Sequence, residues 1–302
     1  MDKEQTAIAR IREAARMSER HYKKPLIVTT SGGKDSSVCV ELALRAGINF
    51  QVMHNYTTAD APETFRFVWS EFKRLESSGF PKEQLIINHP TYKGQPCSMW
   101  TLIPQKLMPP TRAVRYCCSV LKERGGAGRY ITTGVRWEES VRRRNSRGIY
   151  EAYHIDAEKR VILENDNDDR RRLFEACMRQ RKLVCNPIID WTETEVWAFL
   201  EDAKIPVNPL YECGFNRVGC IGCPMARRSG RQREFARWPA YKKLYIRAFD
   251  RMLEERQRRG KMRGTWALGT SGEDVYHWWM EDGVLPGQLE IEAYEQEQEE
   301  TD

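Results

Sequence analysis

Apolar positions change their period repeatedly along the first half of the chain, and the changes mark alternating elements. Ala7, Ile8, Ile11, Ala14 and Ala15 recur at helical spacing, which predicts an amphipathic helix over residues 4–20. The run PLIVTT is short and β-branched, as a buried strand is; two glycines follow at once, then VCVELALRAG, an apolar helix that Gly47 stops. NFQVMHNY predicts a second strand, APETFRFVWSEFKRL a second helix, and LIINHP and RYITTGV further strands. Strand alternating with helix in this way predicts the α/β class, with a doubly wound, mainly parallel sheet. NPIIDWTETEVWAFLEDAKIP reads as a turn into a helix capped by Thr192 and Glu195. Residues 145–182 mix charge blocks with weak period and predict a surface insertion, and from residue 235 the chain reads as a basic helical region.

Composition bounds the classes. A chain of 302 residues that is 40% hydrophobic can bury one large core, or one core plus a smaller lobe. No apolar run of about 18 residues occurs, and the charged N-terminus lacks a secretory core, so the expectation is a cytoplasmic protein without a membrane partner. The net charge of +6 is uneven: EIEAYEQEQEETD at the end is acidic, which leaves a more basic body suited to phosphate-rich partners. Solvated charged faces account for many of the same residues.

The segment TTSGGKDSSV, residues 29–38, carries the first candidate chemistry. At the end of a strand and the start of a helix, backbone N–H groups and the positive helix end point at an anion. Thr30, Gly32 and Gly33 shape the loop, Ser31, Ser36 and Ser37 offer hydroxyls, and Lys34 supplies a charge. Asp35 suits a role in holding a divalent cation or orienting the loop. The competing reading is a Ser/Gly turn that merely caps the helix.

Nine cysteines in a cytoplasmic chain point away from disulfides. Cys117 and Cys118 are adjacent, and Cys220 and Cys223 form a CxxC in RVGCIGCPM. Two such pairs can converge as four soft ligands for zinc or an iron–sulfur cluster, and adjacent cysteines strain a zinc tetrahedron. Cys213, seven residues before Cys220, is an alternative to Cys117, and Cys39 reads as core.

Ser31-Gly32-Gly33-Lys34-Asp35-Ser36 resembles the pyrophosphate loop (PP-loop) of the ATP pyrophosphatase superfamily, and the CC pair with a distant CxxC resembles the 4Fe-4S arrangement of adenylylsulfate (APS) reductases within it. Lys122, four residues past Cys118, matches a lysine of that arrangement, and TGVRWEESVRR matches the segment that lines the nucleotide and sulfate site at Gly134, Arg136, Ser140 and Arg143. The resemblance to the phosphoadenylylsulfate (PAPS)/APS reductase family spans residues from about 25 to 225. It implies an adenine nucleotide alpha hydrolase-like sheet and a PP-loop domain with the iron–sulfur ligands at 25–225; pattern and composition set beside it a helix at 1–24, a basic helical region at 226–288 and an acidic tail at 289–302.

The reductases carry a further catalytic cysteine near the C-terminus, whereas no cysteine follows Cys223 here. The expectation is therefore an enzyme with a 4Fe-4S cluster on Cys117, Cys118, Cys220 and Cys223 that cleaves Mg-ATP to AMP and pyrophosphate to activate a substrate for sulfur transfer. Lys34, Asp35, Arg136 and Arg143 are the catalytic candidates, and Asp60 is a second magnesium carboxylate or a helix cap. Candidate partners are the adenine nucleotide, a sulfur donor or reductant protein, and a nucleic acid. Two alternatives stand beside this reading. One is APS or PAPS reduction through an external thiol. The other is a nucleotide-sensing nucleic-acid-binding subunit, suggested by the basic stretch from Arg227 to Arg263 with Trp238, Tyr241 and Tyr245 as stacking platforms.

Overall fold

The computed structural model describes residues 2–153, 160–163, 182–262, 266 and 269–281. The acidic tail, Cys177 and most of the 145–182 insertion lie outside the described residues. The chain divides into two compact units built from interleaved segments. One comprises Met1–Tyr56, Ala61–Asn88 and Arg124–Gly219; the other comprises Thr57–Asp60, His89–Glu123 and Cys220–Asp302. The chain leaves the sheet unit after Tyr56, Asn88 and Gly219.

The first unit is the doubly wound layer. Helix α1 (Lys3–Tyr22) precedes β1 (Leu26–Thr30), α2 (Lys34–Ala46), β2 (Phe50–Asn55), α3 (Pro62–Ser77) and β3 (Leu85–Asn88). In the second unit β4 (Thr91–Tyr92), β5 (Gln95–Pro96), α4 (Met99–Lys106) and a short turn of helix α5 (Tyr116–Cys118) follow. The chain then adds β6 (Tyr130–Thr132), α6 (Val141–Ser146), β7 (Tyr150–Tyr153), β8 (Arg160–Leu163), β9 (Lys182–Cys185) and α7 (Glu193–Asp202) to the sheet unit. The sheet order is β3-β2-β1-β6-β9-β7-β8. The first five strands run parallel, and β7 pairs antiparallel with both β8 and β9. The chain winds outward from β1 in one direction and then resumes on its other side at β6. That reversal leaves a crevice beyond the end of β1, where ligands of such sheets bind.

Alternation along the strands separates two faces. Leu26, Val28, Phe50, Val52 and Tyr130 join Ile8, Ile11 and Met17 of α1 in the main core, while Ile27, Met53, Ile131 and Val184 cluster separately. Each large aliphatic side chain buried this way stabilises the fold by about 1.5–3 kcal/mol. The start of the segment expected to be a surface insertion is part of this layer: Ile149, Tyr150, Glu151 and Ala152 are buried. Burial there is possible because the Glu151 carboxylate accepts from Arg147 Nε, Gly148 N, Tyr153 Oη and Asn186 Nδ2.

The second unit is mainly helical. Helices α8 (Arg228–Arg237), α9 (Pro239–Arg258) and α10 (Gly272–Met280) surround Phe235, Tyr245, Phe249 and Trp279, whose rings pack at centroid distances of 4.7–6.2 Å. Arg231 is fully buried and donates to the Trp279 carbonyl at 2.9 Å, and Trp279 Nε1 donates to Pro110 O at 2.7 Å.

Candidate functional site

The phosphate-loop candidate occupies the crevice after β1. Gly32 takes the left-handed conformation, φ 73°, where a Cβ would stand 3.0 Å from Thr64 and Val68 of α3, so the turn closes only with glycine. Gly33 is the extended N-cap of α2 and has no side chain to satisfy the first-turn N–H groups. Neighbouring hydroxyls accept from the loop's N–H groups and from the first N–H of the helix. Ser31 N donates to Ser36 Oγ at 3.1 Å, Gly32 N to Thr30 Oγ1 at 3.3 Å, and Lys34 N to Tyr211 Oη at 3.0 Å. Ser36 Oγ and Ser37 Oγ both approach the Gly33 carbonyl, at 2.8 and 3.3 Å. Asn208, fully buried, donates to the Gly32 carbonyl at 3.1 Å and to Thr64 Oγ1 at 3.2 Å.

Two buried cations converge on one carboxylate. Arg136 Nε donates to Asp35 Oδ1 at 2.6 Å, and Lys34 Nζ lies 3.3 Å from Asp35 Oδ2 and 3.6 Å from Glu193. Arg136 also donates through Nη1 to Glu138 and to the Trp191 carbonyl. Burial works against its charge, but Asp35 and Glu138 outweigh that and hold its pKa above the ordinary value. The approach that makes the pair possible is at Gly134, where an added Cβ would stand 2.8 Å from the Asp35 carbonyl carbon and oxygen. Thr133 is held in turn by a short hydrogen bond to Asn186, whose Nδ2 donates to Glu151.

Gly134 and Arg136 thus belong to the loop's surroundings. Ser140 and Arg143 do other things in this structure. Ser140 is the N-cap of α6, accepting from Arg143 N at 3.2 Å, and the Arg143 guanidinium pairs with Glu139 one turn back. Asp60 is not the cap of α3, which is Ala61. Its Oδ2 accepts from Thr57 N at 2.9 Å, and its backbone bridges Cys220 in the second unit.

All four expected thiol ligands fall in the second unit, together with Asp60 and Lys122. Cys117, Cys118, Cys220 and Cys223 share one electrostatic neighbourhood. The Cys117 thiol hydrogen-bonds to Cys118, which with Lys122 and Arg115 holds Cys118 down at about 5 against the opposing effect of burial. Arg115 Nη2 donates to Cys118 Sγ at 3.3 Å. Burial pushes Cys220 up to about 11, and its Sγ lies 3.3 Å from Thr57 Oγ1. Lys122 is driven up first by Cys220. Among the described residues, no three or more His, Cys, Asp or Glu side chains are gathered tightly enough to hold a single metal ion. A cubic four-iron cluster holds its thiolates at separated corners, and four soft ligands with cations beside them suit its net negative charge. Cys213 is exposed and belongs to the sheet unit.

Sequence reasoning missed Tyr211, Asn208 and Glu193. Each reaches the loop from more than 150 positions away, and none stands in a motif that marks it.

A nucleotide-type loop at the switch point of a parallel sheet defines an α/β phosphate-binding protein of the PP-loop kind. Residues 25–226 match the phosphoadenosine phosphosulfate reductase domain, and the chain belongs to that family. It is 45% identical over 53 residues to an adenosine 5'-phosphosulfate reductase of Burkholderia cepacia, 18% of this chain and 21% of that protein. It therefore spans only about a fifth of that relative's length. With the adenosine 5'-phosphosulfate reductase of Bacillus mycoides it shares 23% identity over 225 residues, 72% of this chain and 80% of the other. A phosphoadenylyl-sulfate reductase from Candida auris, solved as a phosphate complex, aligns over 71% of this chain and 88% of its own at 15% identity and a TM-score of 0.43. No helix among the described residues is long and apolar enough to cross a membrane.

Proposed function

We propose that the protein binds an adenine nucleotide at the Ser31–Ser36 loop and, with magnesium, cleaves ATP to AMP and pyrophosphate to activate a substrate for sulfur transfer. The observation that carries this reading is the pairing of Lys34 and Arg136, both buried, on Asp35 at the mouth of the loop. Backbone N–H groups and the hydroxyls of Thr30, Ser31, Ser36 and Ser37 would hold phosphate oxygens. Lys34 would offset charge developing on the leaving pyrophosphate, with Arg136 fixed in place by Asp35 and Glu138. Asp35 orients both cations and keeps lone pairs for magnesium. Asp60, beside Cys220, is assigned to the thiol group instead. Arg143, paired with Glu139, keeps at most a peripheral contact with the acceptor.

Cys117, Cys118, Cys220 and Cys223 would hold a 4Fe-4S cluster, with Lys122, Arg115 and Thr57 around it. Such a cluster supplies electron transfer or a fixed local charge when bound. The names of the family and of the relatives support a second reading, reduction of APS or PAPS, for which an external thiol would be the reductant. One experiment separates the two: anaerobically purified protein is incubated with Mg-ATP, APS and PAPS plus thioredoxin or glutathione, and AMP, pyrophosphate and sulfite are measured. AMP with pyrophosphate from ATP, reduced about a hundredfold or more by Lys34→Ala, supports ATP cleavage. Sulfite from a sulfonucleotide replaces it with the reductase reading.

Nucleic acid as a partner rests on Lys243, Arg247 and Arg251, exposed at successive turns of α9. Of the three aromatic residues, Tyr245 is buried and Tyr241 Oη donates to the Asp60 carbonyl, which leaves the half-buried Trp238 as the stacking candidate. Affinity for single-stranded DNA that falls with salt, and falls further when these three bases become alanine, supports this partner; a flat salt response dismisses it.

A further inference from the structure

The Lys34 N–H opens the first turn of α2 and is one of the donors that a helix N-terminus presents to a phosphate. In this structure it is already engaged. Tyr211 Oη accepts from it at 3.0 Å, and a Cβ on Gly33 would meet that same oxygen at 3.4 Å, so the phenol sits within the mouth of the loop. The ring is set there by several contacts. Trp197 meets it edge-on with centroids 5.2 Å apart, and Lys34 Nζ lies 5.8 Å from its centre. The turn that carries it is tied to the loop: Tyr211 N donates to the Asn208 carbonyl, and Asn208 Nδ2 donates to Gly32 O.

We propose that the Tyr211 hydroxyl is a stand-in for a phosphate oxygen, occupying the Lys34 N–H until a polyphosphate displaces it. This rests on the reading of the loop as a phosphate site. A neutral phenol oxygen is a weaker acceptor than a phosphate oxygen, because a charge-assisted bond is roughly twice as strong as a neutral one. Exchange of one for the other therefore favours the ligand. Burial keeps the phenol protonated, with its pKa pushed up to about 12, so it competes as a neutral group at every working pH. Tyr211 thus sets the loop's affinity for phosphoric anhydrides below what the bare loop would give.

The test is calorimetric titration of the full-length protein and of Tyr211→Phe with inorganic pyrophosphate and with Mg-ATP. The phenylalanine keeps the ring and its packing and removes only the acceptor, so both ligands are expected to bind roughly three- to tenfold more tightly, the weight of one neutral hydrogen bond. Amide exchange gives a second readout: in ligand-free Tyr211→Phe the Lys34 amide exchanges faster than in the native protein, and pyrophosphate restores its protection. Equal or weaker binding by Tyr211→Phe, with the native protein binding normally, overturns the role of Tyr211 and leaves the nucleotide reading intact. Absence of binding by both proteins overturns the nucleotide reading and the proposal together.

Discussion

Gly134 shows how one missing side chain sets the geometry of the loop. A methyl group there would stand 2.8 Å from the backbone of Asp35, and backbone at both sides cannot move aside as a flexible side chain would. Gly134→Ala is expected to cost about 1–3 kcal/mol in urea unfolding, in the range of an overpacked core, and to weaken Mg-ATP binding because Arg136 follows the same loop. Cys118 offers a test at the opposite end of the chemistry. Its thiol is held at about 5, chiefly by the hydrogen bond from Cys117 and then by Lys122 and Arg115. A thiol with a depressed pKa is a thiolate above that value and loses its charge only as pH falls through it. In cluster-free protein, alkylation of Cys118 by iodoacetamide should therefore stay fast from pH 8 down to about pH 5–6, and Lys122→Ala should move the fall in rate to higher pH. Mass spectrometry of the modified peptide reads both. A profile that tracks an ordinary thiol would contradict the electrostatic account of the group.

At the scale of elements, the strand–loop–helix start of the sheet was legible because it is local: the β-branched run, the glycines and the apolar helix lie within about two dozen residues. The cap of α7 was legible for the same reason. Thr192 accepts from Glu195 N at 3.2 Å and Glu195 returns a bond to Thr192 N, as the spacing predicts. Thr192→Ala should lower stability by about 1 kcal/mol, measured by denaturant unfolding, since one first-turn N–H loses its partner. Strand β7 was not legible. Its four residues include Glu151, and Arg147 and Glu151 read as surface charge until the fold buries the carboxylate against Asn186. The pairing of Asp35 with Arg136, 101 positions apart, and of Lys34 with Tyr211 likewise depends on tertiary approach that no local period encodes. Motif spacing found the loop, the thiols, Arg136 and Lys122, whereas Tyr211, Asn208 and Glu193 reach the loop only through the fold.

In the whole molecule the nucleotide loop belongs to one unit and the thiol group to the other. Protein purified without oxygen is expected to carry about four irons and four sulfides per chain, lost on Cys117→Ser or Cys220→Ser, with the loop's nucleotide binding retained in variants that stay folded. Iron-free protein from an anaerobic, iron-replete preparation would remove the cluster from the account. The most direct measurement of the central claim is a crystal structure with magnesium and an ATP analogue whose α,β bridge is a methylene. The account predicts phosphate oxygens on the backbone of Ser31–Ser36, Lys34 and Arg136 turned toward them, and the Tyr211 hydroxyl moved off the Lys34 amide. A nucleotide bound elsewhere, with the loop closed on its own hydroxyls, would contradict it.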